Sequence, residues 1–227
     1  LEFRRVLFRS SCTLAVSAKG GNNAENHNHN DIGSYAVALG KCTMVGDQGG
    51  PFSYPGDYFS AEAPEKYKIK GSFGHPVPVV DGKTQSSGAK ASAIVLKKEF
   101  TDVKDLLCID YTSAYSTPSL DKLVRTFVYD RQGKGSFTVG DEFTANAPIR
   151  FETAITTQAN WKIIDDTHLL LTTGTEQMTV TIEASGKVAF TSETIEVNSP
   201  AYTRIGISLK EQSKDGYIRL TMRTKQL

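Results

Sequence analysis

The segment Asn26-His27-Asn28-His29-Asn30-Asp31 places a histidine or aspartate at every second position. If it is extended, His27, His29 and Asp31 face one side and the three asparagines face the other. A third histidine, His75, follows in Ser72-Phe73-Gly74-His75-Pro76. Imidazoles and carboxylates transfer protons and bind divalent metals. We therefore expect the chemistry of this chain to lie around these residues.

An aspartate completes a possible metal set. Asp47 follows the predicted strand Cys42 to Val45, which returns beside the histidine segment through a turn at Gly40-Lys41. Two histidines and an aspartate suit zinc, whereas calcium prefers about six to eight oxygen ligands. The alternative is that the histidines are hydrogen-bonded surface residues of an Asn-rich turn.

The elements that must position these residues are strands. Short β-branched and aromatic runs alternate with Gly, Asn, Asp and Lys turns, and almost no segment sustains a helical period. We predict an all-β fold, a β-sandwich of mainly antiparallel strands (supersandwich-like). Residues 46 to 74, rich in Gly, Pro and aromatics, are predicted to form a long functional loop. The predicted strands are Ser34 to Leu39, Cys42 to Val45, Val77 to Val80 before an Asp81-Gly82 hairpin, Ala91 to Glu99, Leu106 to Thr112, Leu123 to Tyr129, Ile149 to Thr157, Leu169 to Thr173, Met178 to Glu183 and Tyr217 to Met222.

Composition limits the possible partners. The 26 Lys and Arg residues nearly cancel the 25 Asp and Glu residues of the 227-residue chain, so the basic surface of a nucleic-acid-binding protein is missing. No apolar run approaches the ~20 residues that span a membrane. The chain has an odd number of cysteines, which predicts free buried thiols at Cys12, Cys42 and Cys108. Residues 1–10 are interpreted as a non-native junction and residues 11–227 as one domain.

Three sequence blocks carry a family resemblance. Residues 20–34, 46–50 and 72–78 resemble, in order and spacing, the C-terminal blocks of heparinase II/III-like polysaccharide lyases. The strong matches run from Lys19 to Gln85. The rest of the chain agrees with the family only in its β character.

The resemblance implies a role for each matching residue. His27 is expected to face the substrate cleft and to take part in proton transfer or in neutralising a carboxylate. His29, Asp47 and His75 are expected to bind a divalent metal, zinc above all. Asp31 is expected to orient an imidazole from the second shell, although a turn-capping role is the alternative.

The reaction implied is β-elimination at a uronic acid of an acidic polysaccharide, either a heparan-type glycosaminoglycan or an alginate-like polymer. In the family the catalytic tyrosine comes from an N-terminal helical toroid that precedes the β region. This chain lacks such a domain, so we expect it to be inactive as it stands. The family also implies a periplasmic or secreted protein.

Substrate contacts and two other functions complete the expectations. Asn28, Tyr54 and Tyr58 are candidate substrate-binding residues, with packing as the alternative for the aromatics. A cupin-like metalloenzyme also has His-x-His on β-strands, but Gly33 and Ser34 stand where its glutamate is expected. A non-catalytic carbohydrate-binding β-sandwich would show a closed polar surface near His27. A part of a lyase would show an unpaired patch there.

Overall fold

The largest element of the computed structural model is an antiparallel sheet. The structure describes residues 14–47, 49–197 and 199–225, together with the backbone of residues 6–8. Within them this sheet has eight strands in the order β13-β14-β15-β18-β11-β10-β9-β8, so the last strand of the described chain lies inside it. Its strands are β8 (Ile94–Phe100), β9 (Lys104–Asp110), β10 (Leu120–Asp130), β11 (Ser136–Ile149), β13 (Asn160–Asp165), β14 (His168–Thr173), β15 (Glu176–Ala184) and β18 (Ser213–Thr224).

Smaller sheets cover this large sheet. One has the order β1-β2-β4-β5, a second has the order β16-β17-β12-β6, and β3 pairs with β7. Their strands are β1 (Val6–Phe8), β2 (Leu14–Ala18), β3 (Asn22–Asn23), β4 (Tyr35–Leu39), β5 (Cys42–Val45), β6 (Val79–Val80), β7 (Gly88–Ser92), β12 (Phe151–Thr157), β16 (Val188–Val197) and β17 (Ser199–Leu209).

Aromatic side chains fill the space between the layers. Tyr35 on β4 contacts Phe127 and Phe137 of the large sheet, with ring centroids 6.4 and 5.7 Å away. Phe143 and Phe151 stack with centroids 4.6 Å apart and join β11 to β12. The buried apolar residues form one core that reaches from β2 to β18. Burial of this apolar area is the main favourable term for the sandwich and confirms the predicted all-β class.

Two turns were predicted correctly, and they position the site. Gly40 has a φ of 59° and connects β4 to β5, which pair antiparallel. Asp81 and Gly82 both have positive φ, 50° and 73°, as the tight two-residue hairpin turn requires. The β4-β5 hairpin brings the segment before β4 close to Asp47, which follows β5.

The connection from residue 46 to residue 78 is irregular, as predicted. It contains one short helix, α1 (Ala63–Lys66), and a 3₁₀ turn, Ser72–Gly74. A second small core holds the connection against β16 and β17, because Tyr58 and Ile69 pack with Ile195 and Tyr202. The loop that carries the aromatic residues is therefore fixed by burial.

The predictions for the first residues, the cysteines and membrane spans have different outcomes. Cys12 lies outside the described residues, as do residues 1–5 and 9–10 of the predicted junction, although the backbone of Val6–Phe8 pairs with β2. Cys42 and Cys108 are free and only half-buried, which contradicts full burial of these thiols. In the described part of the chain, no helix has the length and apolar character needed to cross a membrane.

Candidate metal centre and substrate cleft

The segment that carries His27 and His29 is a turn. Residues 26–31 form no strand, and His27 has a left-handed φ of 56°. The predicted strand-like alternation is therefore wrong. His27 is exposed, His29 is half-buried and Asp31 is buried. The backbone N–H of Asn30 donates to the carbonyl of Lys70 at 2.9 Å and fixes the turn against the long connection.

His75 and Asp47 form a direct pair. His75 is 1% exposed, and its Nδ1 lies 2.5 Å from Asp47 Oδ1. Its Nε2–H donates to the carbonyl of Ile69 at 2.9 Å, which fixes the ring and leaves Nδ1 toward the carboxylate. Asp47 Oδ2 accepts a hydrogen bond from the Ser34 hydroxyl at 2.8 Å.

The contact between His75 and Asp47 shifts the pKa values of both side chains. Burial alone would lower the pKa of His75, but the charge and hydrogen bond of Asp47 raise it. In the same way, burial opposes ionisation of Asp47, but His75 and the Ser34 hydroxyl hold the pKa of Asp47 below its usual range. The pair therefore balances its own charge.

Three of the candidate residues lie close enough to share an ion. Asp31, Asp47 and His75 offer ligand atoms that all lie within 4.8 Å of one another. Asp31 forms an ion pair with Lys19, and its burial raises its pKa. The carbonyl of Ile69, not Asp31, orients the His75 ring. The predicted role of Asp31, to orient an imidazole, stays a prediction.

His29 lies beside this cluster. Its ring centroid is 5.2 Å from that of His75, and its Nε2 lies 3.2 Å from the Tyr58 hydroxyl. Burial, followed by the charge of His75, lowers the pKa of His29 to about 3. The imidazole is therefore neutral at physiological pH, which is the form that binds metals. Neutral imidazoles beside carboxylates are a donor set that fits zinc.

A cleft of about 510 Å³ opens on the other side of the turn. His27, Asn28, Phe59 and Lys70 contribute to its wall. The His27 and Phe59 rings meet edge to face, with centroids 5.0 Å apart. The cleft is thus lined with hydrogen-bonding groups and one aromatic face, a composition suited to a sugar.

The aromatic residues of the connection divide into exposed and buried members. Phe52, Tyr54 and Phe59 are 81%, 54% and 52% exposed, whereas Tyr58 is 1% exposed. The burial of Tyr58 contradicts a stacking contact between its ring and a substrate, and its hydroxyl faces His29 instead. The exposed ring of Phe59 contacts both Tyr54, with centroids 5.1 Å apart, and His27.

A buried arginine that the sequence analysis missed connects the site to the large sheet. Arg125 on β10 is 0% exposed and forms a two-point ion pair with Asp141 on β11, at 2.7 Å for both contacts. Its Nη1 also donates to the carbonyls of Gly33 at 2.6 Å and Pro76 at 2.8 Å. Gly33 follows the histidine turn and Pro76 follows His75, so one guanidinium holds both ligand-bearing segments.

The location of the candidate ligands argues against the cupin-like alternative. Asp31, Asp47 and His75 all lie on connections between strands, and the described strands form open sheets in place of a barrel closed around the site. His168, in contrast, starts β14 and pairs with Asp165 on the surface, as expected for a residue outside the site.

Solved structures share this fold. A crystal structure of heparinase III matches 97% of the chain with a TM-score of 0.76 and 15% identity, and heparan sulfate lyase HepC from Pedobacter heparinus matches 100% with a TM-score of 0.79 and 15% identity. The chain spans only 35% and 36% of those proteins, corresponding to their C-terminal part. No family model and no curated protein sequence matches the chain. The likeness establishes the fold.

Proposed function

We propose that this chain is the β-rich part of a polysaccharide lyase that cleaves a uronic-acid-containing polysaccharide by β-elimination. The observation that carries the proposal is the position of His27, exposed in a polar cleft and two residues before His29, which lies beside the pair of buried His75 and half-buried Asp47. The fold shared with heparinase III supports the same conclusion. Heparan-type glycosaminoglycans and alginate-like polymers are the candidate substrates.

In β-elimination a base removes the proton alpha to the uronate carboxylate, and the 4-linked oxygen leaves. The proton becomes acidic enough only when hydrogen-bond donors neutralise the carboxylate. His27 is proposed to donate to that carboxylate or to transfer the proton, and Asn28 to contact the sugar. The catalytic tyrosine is proposed to come from a helical domain in front of this one, so the chain by itself should bind substrate without cleaving it.

The proposed metal ligands are His29, Asp47 and His75, with Asp31 beside them. A bound zinc ion would supply a fixed positive charge that cross-links the histidine turn, β5 and the long connection. The chain's own residues prepare this arrangement, because Ile69 orients His75 and Ser34 orients Asp47.

The metal assignment is tested by elemental analysis of purified protein. We expect about one zinc per chain in the wild type, as in structural zinc sites, and its loss in His29→Ala and in Asp47→Ala. His168→Ala, which changes a surface histidine, is the matched control and should keep the metal. Folded wild-type protein that binds no divalent metal after zinc is supplied would refute the ligand set.

The lyase assignment is tested by joining the helical part of a heparinase III to this chain and following the ultraviolet absorbance of the unsaturated uronate product. We expect cleavage of at least one acidic polysaccharide and a loss of about 100-fold or more in His27→Ala, the range for a lost acid–base group. If the folded, metal-loaded chimera cleaves none of these polymers, the lyase proposal is wrong.

Two further points follow from the same proposal. Polymers of this kind are met outside the cytoplasm, so we propose a periplasmic or secreted protein. The alternative function is a carbohydrate-binding β-sandwich without catalysis, which the polar cleft would also serve. The exposed rings of Phe52, Tyr54 and Phe59 favour the lyase, because a self-sufficient module would cover them.

A further inference from the structure

Lys70 is a buried cation with no ion-pair partner among the described residues. It lies in the wall of the cleft and is only 7% exposed. Its ammonium group donates to the carbonyl of Tyr58, and no carboxylate in the described part of the chain forms an ion pair with it. An ammonium group offers three donors and strongly prefers an anionic partner when it leaves water. The free protein leaves this preference unmet.

Two aromatic faces compensate in part. The Nζ atom lies 5.0 Å from the ring centroids of both Tyr58 and Phe59. Such cation–π contacts stabilise a lysine only modestly. Burial accordingly lowers the pKa of Lys70. The rings hold the charge in place and leave its remaining donors for a ligand.

The position of Lys70 matches that of a substrate contact. Its ring partner Phe59 is also the ring partner of His27 across the cleft wall. Its backbone carbonyl accepts from Asn30, so the residue is fixed to the histidine turn. Glu25, Asn26 and Asn28 line the same cleft, and the two amides supply neutral donors and acceptors.

We propose that Lys70 forms an anion-binding subsite in the cleft beside His27, which receives a carboxylate or sulfate group of an acidic sugar. The proposal builds on the lyase function and adds a residue that determines specificity. A lysine point charge accepts either anion, whereas the neutral amides around it contact hydroxyl groups. A neutral polysaccharide would leave the ammonium group unpaired and would therefore bind weakly.

Calorimetric titration of the full chain tests the proposal with three oligosaccharides of equal length. One is a sulfated heparan-type oligosaccharide, one is its unsulfated uronate form, and one is the carboxyl-reduced, neutral form. We expect Lys70→Met to weaken binding of an anionic ligand by about 10-fold to 100-fold, the effect of losing a charged hydrogen bond. Lys70→Arg should recover part of this loss. Loss confined to the sulfated ligand identifies a sulfate site, and loss with both anionic ligands identifies a carboxylate site.

The control is Lys66→Met, because Lys66 is exposed and lies outside the cleft. It should leave all three affinities unchanged. Equal affinities for wild type and folded Lys70→Met would overturn the subsite. If Lys70→Met does not fold, the side-chain NMR signals of Lys70 in the wild type decide. They should shift on addition of the unsulfated or sulfated ligand, and signals that stay unmoved with both overturn the proposal.

The two experiments distinguish failure of the Lys70 subsite from failure of the lyase function. Lys70-dependent binding without cleavage in the chimera would refute the lyase function and leave the subsite. Cleavage with unchanged affinity in Lys70→Met would refute the subsite and leave the lyase. A wild-type chain that binds no anionic ligand would refute the subsite outright.

Discussion

Arg125→Met should destabilise the protein strongly, because it removes one partner of a buried ion pair. The side chains of Arg125 and Asp141 are 0% and 1% exposed, and methionine leaves the Asp141 carboxylate with only the hydroxyls of Tyr111 and Thr153 among its described partners. Breaking such a pair costs about 3 to 5 kcal/mol. For a domain of this size, this corresponds to a fall in Tm of roughly 6 to 20 °C.

The assay is urea denaturation followed by circular dichroism, on zinc-loaded and on zinc-free protein. The matched control is Arg219→Met, because Arg219 pairs with Glu183 on the surface at 3.0 Å and both side chains are about half exposed. Exposed pairs contribute about 0 to 1 kcal/mol. Zinc affinity should also fall in Arg125→Met alone, since its carbonyl partners Gly33 and Pro76 adjoin the ligands. If Arg125→Met lowers the free energy of unfolding as little as Arg219→Met does, the reasoning is refuted.

Three further predictions concern the metal, the loop and the sheet edge. Zinc at about 100 times its Kd should stabilise the wild type by about 2.7 kcal/mol; calorimetric scans should show a rise in Tm that Asp47→Asn abolishes, and an equal rise in both proteins would contradict the site. Gly74→Ala should cost about 1 to 3 kcal/mol in urea denaturation, because a Cβ there would lie 2.2 Å from the carbonyl oxygen of Lys68; an unchanged midpoint would show that the loop yields. Leu96→Lys should reduce aggregation measured by light scattering without changing the urea midpoint, because Leu96 is 49% exposed on edge strand β8; unchanged scattering would exclude this edge as the cause.

Local sequence patterns correctly predicted a short strand and a tight turn. The bounds Cys42–Val45 of β5 were predicted exactly as observed, and the Asp81-Gly82 dipeptide forms the expected turn. In each case neighbouring residues carry the information, so no knowledge of distant contacts was needed.

Two of the missed strands, β11 and β17, contain charges that distant partners neutralise. β11 includes Gly140-Asp141, which looks like a turn, but Asp141 is buried against Arg125 in the strand interior. β17 includes Arg204, buried and paired with Glu152 on β12. A sequence shows each charge without its partner, so it favours loops at these places. The alternation of Val139, Asp141 and Phe143 on one face was the available signal.

The prediction of an extended conformation for the histidine turn was wrong for a related reason. Alternating residues predicted an extended segment, whereas His27 adopts a left-handed conformation and Asn30 is anchored to Lys70 and to the carbonyl of Gln85. The abundance of asparagine, which favours turns, was the local warning. The role of Lys70 depends on the packing of Tyr58 and Phe59 around it, and nothing in the local sequence indicates that packing.

The central place of β18 has a consequence for how the protein is made. β18 lies between β11 and β15, so residues as distant in sequence as Ser136 and Arg223 pair only when Ser213–Thr224 arrives. Synthesis from the N-terminus therefore produces two incomplete halves of the large sheet, each with an open edge, until β18 leaves the ribosome. Folding should be slow, as is usual where non-local pairing dominates. Premature termination before β18 should yield aggregating chains, whereas shorter deletions elsewhere in loops should be tolerated.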